Sequence, residues 1–566
     1  MEIWVLLILL MAVFLYVMIR GALEEKDKKK KYRRQLQQLY GSFPDRTYSA
    51  EELDKISRYY WHRREVSSHD IDEITWNDLG MDSIFARMNY TQSSSGEEYL
   101  YAMLRRPATD DRDGAKAQMS AQIDYMMEHE KERLDTMMSL KELGSTGKYA
   151  LSDYLDYLGE LGVRSNKVHY GCIFLLLASV AVLFVRTSLG VPMLIGTACF
   201  NIVTYMKEKG IAAPYVTTFA YIIRMLHCAD EIAGHALGSE MESYVAGLKA
   251  KRSGFKDFER HSGMVLKMNA STGNIDELLF DYIKMLTHID LIRFNKMLNI
   301  VHQNKDAIIG LAGDIGYIDA VISIGYFRAA LPYYCTPLLQ TGHDSRFVIS
   351  EGFHPCIENP VANSFSQHRG MIITGSNASG KSTFLKMTAV NAILAQTIYT
   401  CAAKMYKGNY YRIYSSMSLR DNLDNGESYY IVEIKALKRI IDAADTDDTA
   451  PLLCFVDEVL RGTNTVERIA ASTQILKRLS QRGIYCFAAT HDIELTHLLE
   501  QDYDNCHFEE EVQHGDVLFS YRLLEGRAHT RNAIKLLEII GFSKEIIRKA
   551  DDMAGAFLRT GEWKTI

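Results

Sequence analysis

The string Gly375-Ser376-Asn377-Ala378-Ser379-Gly380-Lys381-Ser382 restricts the possible folds of this chain more than any other segment. It has the spacing G-x-x-x-x-G-K-[ST]. The apolar, β-like Met371-Ile372-Ile373 precedes it and a helical stretch, 383–396, follows. A strand that runs through a glycine-bracketed turn into a helix aims backbone N–H groups and a helix N-terminus at one point, which favours a bound anion. The two glycines let the backbone curl without Cβ clashes. Gly375, Ser376, Asn377, Ala378, Ser379, Gly380, Lys381, Ser382 and Thr383 are therefore the candidate phosphate-binding residues. Lys381 is expected to reach β- and γ-phosphates, and the Ser382 hydroxyl to bind Mg²⁺.

Two later strand ends supply the remaining chemistry of an ATP site. Leu452-Leu453-Cys454-Phe455-Val456 is an apolar strand that ends in Asp457-Glu458. Asp457 is placed to hold the Mg²⁺ water shell, and Glu458 to orient or deprotonate the attacking water. The strand Ile484-Tyr485-Cys486-Phe487-Ala488 leads into Ala489-Thr490-His491-Asp492, where His491 is placed to contact the γ-phosphate. Acid pairs and lone histidines are common; it is their position after buried strands, downstream of the lysine loop, that selects Glu458, His491 and Lys381 as catalytic candidates. The cofactors expected are ATP and Mg²⁺.

From about residue 345 short apolar runs alternate with helical stretches, the pattern of an α/β domain with a largely parallel sheet. The stretches 506–511 and 517–523 read as a late hairpin. Residues 81–165 and 206–340 read as amphipathic helices, including a long 3.6-period run over 275–298. A net charge of -7 excludes a strongly basic nucleic-acid coat protein, though not a local basic groove. The 9 cysteines are scattered, with no C-x-x-C pair, and read as free thiols in a reducing compartment.

Residues 3–19 form an unbroken apolar run, about 25 Å as a helix and just enough to span a hydrocarbon core. A cleaved signal peptide fits poorly, because no Lys or Arg precedes the run and no small-residue cleavage site follows. Arg20, Lys26, Lys28, Lys29, Lys30, Lys31, Arg33 and Arg34 follow, a cluster expected on the cytoplasmic side. A second apolar region, 170–205, is divided at Arg186, and Pro192 suits a first helical turn. Arg164 and Lys167 precede it and Lys207 and Lys209 follow, which fits a hairpin with both ends cytoplasmic; a buried helical pair is the competing reading. The expectation is about three spans in the cell membrane, with the soluble domains on the cytoplasmic side.

These residues resemble the ATPase domain of the MutS mismatch-repair family. The run Ile372-Ile373-Thr374 through Lys381-Ser382-Thr383 is similar to that family's phosphate loop, Asn377 included. Asp457-Glu458-Val459-Leu460-Arg461-Gly462-Thr463-Asn464-Thr465 is similar to its D-E-x-G-R-G-T-[ST]-T run, with Leu460 where the family usually has Gly and Asn464 in place of Ser or Thr. Ala489-Thr490-His491 matches its A-T-H strand end. Gly426-Glu427-Ser428-Tyr429-Tyr430-Ile431-Val432-Glu433 resembles its S-T-F-M-x-E signature, and the resemblance implies that Ser428 contacts the γ-phosphate of a partner subunit's nucleotide in trans. Gly352-Phe353-His354-Pro355 resembles the start of the domain; 82–107 and 315–323 resemble parts of the family's helical core and lever.

The resemblance implies a fold of two parts, an α/β P-loop ATPase domain of the ABC-like MutS type and a mostly α-helical core and lever, here with membrane-spanning helices. The spans expected are a transmembrane anchor at 1–20, a basic helical linker at 21–80, helical core at 81–168, a transmembrane hairpin at 169–205, core and lever at 206–344, and the ATPase domain at 345–566. The family's mismatch-reading domain with its F-x-E wedge finds no counterpart, and its DNA clamp is missing or shortened. Phe508-Glu509-Glu510 lies in the late hairpin and reads as strand surface. The leading expectation is a membrane-anchored, homodimeric ATP hydrolase that drives lever movement, with DNA as a ligand by resemblance only. Lys249, Lys251 and Arg252 are candidate phosphate contacts, though such residues are more often solvated face. The alternative is a membrane signal or conformational transducer that acts on a protein partner without DNA; a nucleotide-stabilised scaffold is disfavoured by an intact Glu458 and His491.

Overall fold

The computed structural model describes residues 2–62, 67–111, 114–266, 268, 275–343, 346–376, 379–417, 429–446, 448–460, 463–513, 516–528, 534, 537 and 541–560. The chain divides into two compact units, each built from separated stretches. Met1–Arg64, Met88–Ala102 and Ala117–Ala330 make a helical unit; Glu65–Arg87, Met103–Lys116 and Leu331–Ile566 make an α/β unit.

The strands of the α/β unit are β1 (Leu338–Gln340), β2 (Phe347–Gly352), β3 (Asn363–Gln367), β4 (Met371–Thr374), β5 (Met405–Asn409), β6 (Arg412–Ser416), β7 (Leu452–Asp457), β8 (Ile484–Thr490), β9 (Asp504–His507), β10 (Glu510–Gln513), β11 (Asp516–Phe519) and β12 (Leu524–Glu525). Six of them form the central sheet in the order β12-β9-β4-β8-β7-β6, parallel except at β12. The residues of β4 and β8 are buried throughout, as in a parallel sheet covered on both faces. On one face Leu437 and Ile440 of the helix Tyr429–Asp445 and Leu476 of the helix Thr465–Arg478 join Cys454, Val456 and Cys486 in a single apolar cluster. Phe455 and Phe487 belong to an aromatic layer in which Phe347 and Phe365 of the second sheet stand 5.7 and 5.5 Å from Phe487. That second sheet has the order β1-β5-β2-β3.

The β6 edge is covered by a segment from far upstream. Asp72 caps the helix Glu73–Leu79, and Gly80 ends it in the left-handed conformation at φ 66°. Within that helix, Thr75 Oγ1 accepts from Ser415 N at 3.1 Å, and Asp78 accepts from Ser415 Oγ at 2.8 Å and from Met417 N at 2.9 Å. The open edge is thereby closed without a further strand. The late hairpin differs from the sequence expectation: Cys506 lies in β9, in register with Ile373 of the central sheet, and the hairpin is β10–β11. Cys506 and His507 pair with the central sheet, continued by Phe508 N donating to Thr374 O, so the hairpin's first strand starts only at Glu510, while its closing pair Gln513–Asp516 stands where the sequence expects the turn.

In the helical unit, one helix runs Glu2–Leu39 through both the apolar run and the basic cluster. The 275–298 period is interrupted: His288 takes φ 54°, so the helices Ile275–Thr287 and Ile289–Gln303 are separate. The helix Lys305–Ala330 is anchored by buried Asp319, which accepts from Gln92 N, Ser93 N and Ser93 Oγ, and whose carboxyl burial pushes up to about 7. The helices Lys167–Val185 and Thr187–Ala212 turn at Arg186, whose extended backbone (φ -148°) breaks them apart. Pro192 falls inside the second of these helices, beyond its first turn. Three helical stretches among the described residues are long and apolar enough to cross a membrane: Lys167–Val185, Thr187–Gly234 and Lys305–Ala330. Their burial separates them. The apolar window of the last is 72% buried within the protein, as a core helix should be, against 17% for each of the other two.

Candidate functional site at the strand ends

Parallel pairing brings the site together. Register places Thr374 of β4 beside Thr490 of β8, and Ala489 of β8 beside Asp457 of β7. The chain segments that leave these strands therefore emerge on one edge of the sheet, where open α/β sheets bind ligands. Glu458 N donates to Ala489 O at 2.9 Å, which ties the second segment to the third.

The glycines of the loop have steric reasons. Gly375 has φ 151°, and a Cβ there would stand 2.8 Å from Ser379 Oγ and 2.9 Å from Phe508 O. Gly380 has φ 110° and caps the helix Lys381–Thr397. Lys381 is only 5% exposed; its Nζ donates to Gly375 O at 2.9 Å and Ser376 O at 2.7 Å and lies 3.4 Å from His491 Nε2. His491 Nε2 also meets Glu458 Oε1 at 2.8 Å. Ser382 Oγ donates to Asp457 Oδ2. The structure thus groups Lys381, Ser382, Asp457, Glu458 and His491. Asn377, Ala378 and Ser428 lie outside the described residues.

Two buried polar atoms fit a nucleotide and its cation. Ser379 Oγ, in the loop, and Asp457 Oδ1, beside Ser382, have no hydrogen-bond partner among the described residues. Among the described residues no three His, Cys, Asp or Glu side chains gather as a closed metal site. A cleft of about 520 Å³ opens beside the loop, lined by Gly380, Lys381, Ser382, Thr383 and Glu458 and by His354, Ile357, Pro360 and Tyr521. Its size suits a nucleotide, and its apolar and aromatic lining suits a base.

Several contributors escape sequence reasoning. Ser376 Oγ donates to the Glu510 carboxylate, so part of the acidic string in the late hairpin turns toward the loop. Arg468 grips Asp492 with two hydrogen bonds, at 2.9 and 2.7 Å, and so fixes the residue after His491. Glu433, 6% exposed, accepts from Leu460 N and holds the segment after Glu458. Only Glu433 had a signal, its place in the 426–433 string. Lys251 and Arg252 do not present free cations: Lys251 pairs with Asp314 at 2.6 Å, and Arg252 with Asp230 and Glu259 at 2.6 and 2.7 Å.

Leu460 and Asn464 also find their reasons here. Leu460 has φ 59°, in the region that favours glycine, and its side chain is 5% exposed in the apolar cluster. Leu460→Gly would release about 1 kcal/mol of backbone strain. It would also forfeit about 2 kcal/mol of burial and loosen the unfolded chain by a further ~0.5–1 kcal/mol. A net destabilisation of about 2 kcal/mol is expected in urea unfolding of the α/β unit, and a more stable variant would show that strain dominates. Asn464 Oδ1 accepts from Val466 N at 3.0 Å as the N-cap of the helix Thr465–Arg478, a role that Ser or Thr fills equally.

Burial, with Lys386 nearby, pushes the His354 imidazole down to about 4. The unfolded chain takes up that proton near pH 6.5. The stability tied to neutral His354 is thus complete above that pH and is lost as the pH falls toward 4. His354→Asn is expected to flatten the decline in melting temperature over this window; parallel curves would contradict it.

A parallel sheet, a glycine-lysine loop after its central strand, and acidic and imidazole groups on the adjacent strand ends define a P-loop ATPase-type domain. Residues 371–557 match the family model of MutS domain V. Over these residues the chain is similar to the MutS family. It is 31% identical over 216 residues to the DNA mismatch repair protein MutS of Thermus thermophilus, covering 37% of this chain and 26% of that one. It is 27% identical over 307 residues to the protein of the same name from Thermotoga maritima, covering 52% and 38%. The chain thus spans about a quarter to two fifths of the length of the curated relatives it matches.

Proposed function

We infer that this protein is a membrane-anchored ATP hydrolase that works as a homodimer, sandwiching ATP between ATPase domains and converting closure and hydrolysis into movement of its helical levers. The convergence of Lys381, Ser382, Asp457, Glu458 and His491 on one sheet edge carries this reading. Lys381 exchanges its bonds to the Gly375 and Ser376 carbonyls for the β- and γ-phosphates. Glu458 orients the attacking water and accepts its proton, while His491, bonded to Glu458, faces the γ-phosphate. Mg²⁺, held by Ser382 and through the Asp457 carboxylate, would neutralise charge on the phosphate oxygens. Ser428 of the other subunit is proposed to complete the sandwich.

Membrane attachment is supported by apolar side chains that the fold leaves uncovered. Phe174, Phe184 and Val203 of the helical hairpin are 70%, 86% and 70% exposed, and Trp4 and Met11 of the first helix 71% and 73%. The basic residues flanking these segments support cytoplasmic placement of the soluble parts.

DNA as the ligand rests on the relatives, which are named DNA mismatch repair proteins. The ion pairs that occupy Lys251 and Arg252 favour the second reading, in which the ATPase moves a protein partner. Binding of the full chain to matched and mismatched duplexes across a salt series separates the two. Binding that weakens steeply with salt supports the DNA reading. No binding at low salt, with ATP turnover intact, supports the transducer.

A further inference from the structure

The nine cysteines are all thiols, and two pairs of them stand side by side across strands. Cys335 follows the helix Lys305–Ala330 by a few residues, and Cys401 follows the helix Lys381–Thr397. They form an isolated antiparallel bridge in which Cys335 N donates to Cys401 O at 3.0 Å and Cys401 N to Cys335 O at 2.9 Å. Such a pair holds its Cα atoms about 5.5 Å apart. A disulfide spans Cα separations of roughly 4.4–6.8 Å.

We propose that Cys335 and Cys401 are a modification site, a dithiol that a peroxide converts to a disulfide and a thiol reductant restores.

Access and reactivity differ between the two sulfurs in the way this chemistry needs. Cys335 is half-buried, between exposed Pro332 and Thr336, whereas Cys401 is fully buried. The neighbouring Cys401 thiol and a backbone group at Tyr406 hold the Cys335 thiol below its usual range, against the effect of burial. Cys335 is therefore the attacking thiolate and Cys401 the resolving thiol.

The steps balance. The Cys335 thiolate attacks one peroxide oxygen; the O–O bond breaks, hydroxide leaves and takes a proton as water, and Cys335 becomes a sulfenic acid. The Cys401 sulfur then attacks the Cys335 sulfur; the S–S bond forms, the S–OH bond breaks, and the hydroxyl leaves with the Cys401 proton as a second water. Two electrons pass from the thiols to the peroxide. Bridging a backbone-bonded pair constrains the disulfide geometry, which makes the bond easier to reduce and suits a reversible site. The ring it closes, residues 335 to 401, contains the phosphate loop and the helix Lys381–Thr397.

The second pair is an internal control. Cys454 and Cys486 are direct register partners on β7 and β8. Both are fully buried, and burial holds the Cys454 thiol well above its usual range. The full-length protein in detergent is treated with hydrogen peroxide, blocked with N-ethylmaleimide, and mapped by non-reducing peptide mass spectrometry. A linked peptide pair containing Cys335 and Cys401 is expected, lost on adding dithiothreitol and absent in Cys335→Ser. With no oxidant, Cys335 should also react with the maleimide faster than Cys401 or Cys454. Recovery of Cys335 unlinked after oxidation, or earlier linkage of Cys454 to Cys486, overturns the assignment. Because wild-type protein alone decides this, a variant that folds poorly leaves the test intact. ATP hydrolysis is not needed as a readout, so the fate of the ATPase reading is judged separately.

Discussion

Lys381→Ala is expected to weaken ATP binding about a hundredfold or more in titration calorimetry, with the fold retained. The ammonium is 5% exposed and held by two loop carbonyls at 2.9 and 2.7 Å, so it is already gathered at the point where phosphate charge must be met. Its removal deletes charge-assisted bonds to the phosphates and leaves buried acceptors unpaired, together worth about 3 kcal/mol. Backbone N–H groups and the N-terminus of the helix Lys381–Thr397 remain, so residual weak binding is expected. Undiminished affinity would refute the phosphate-loop assignment.

Glu458→Gln should separate binding from turnover. The amide keeps the size of the carboxylate and a hydrogen-bonding oxygen near His491, which Glu458 meets at 2.8 Å, but it cannot take a proton from water. A fall in kcat of about a thousandfold is expected, within the usual range for loss of a general base. ATP affinity should stay near the wild-type value, and the nucleotide-bound dimer should accumulate, visible as a larger species in light scattering only when ATP is present. Normal hydrolysis by this variant would assign the water-activating role elsewhere. The backbone at Glu458 adds weight to the choice: its φ of 58° is uncommon for a non-glycine residue, and such conformations gather at functional sites.

The groups that converge on the sheet edge were legible because each is announced locally. Met371–Thr374 and Ile484–Thr490 are buried runs that end in recognisable chemistry, and parallel pairing does the rest. What was not legible depends on partners remote in sequence. Nothing near Ser376 points to Glu510, which is 134 positions away. Arg468 looks like an ordinary helix-surface cation until Asp492 is seen across from it. His354 reads as the opening of a domain and lies in the cleft wall. The interruption at His288 inside an otherwise unbroken 3.6 period is set by a backbone conformation that composition does not reveal. The late hairpin starts a few residues later than its apolar run suggests because Cys506 joins the central sheet, a partner remote in sequence.

The distance along the chain between Asp78 and Ser415, 337 residues, has a consequence for biogenesis. A ribosome adding roughly ten residues per second releases the edge-covering helix about half a minute before the strand it shields. Until then the helix Glu73–Leu79 emerges without the surface that buries Thr75, Trp76 and Leu79. A truncated polypeptide starting at residue 331 would meet the converse difficulty, with a bare β6 margin open to intermolecular pairing. Chaperone dependence during translation, and insolubility of such truncations when made alone, are what this order of synthesis entails.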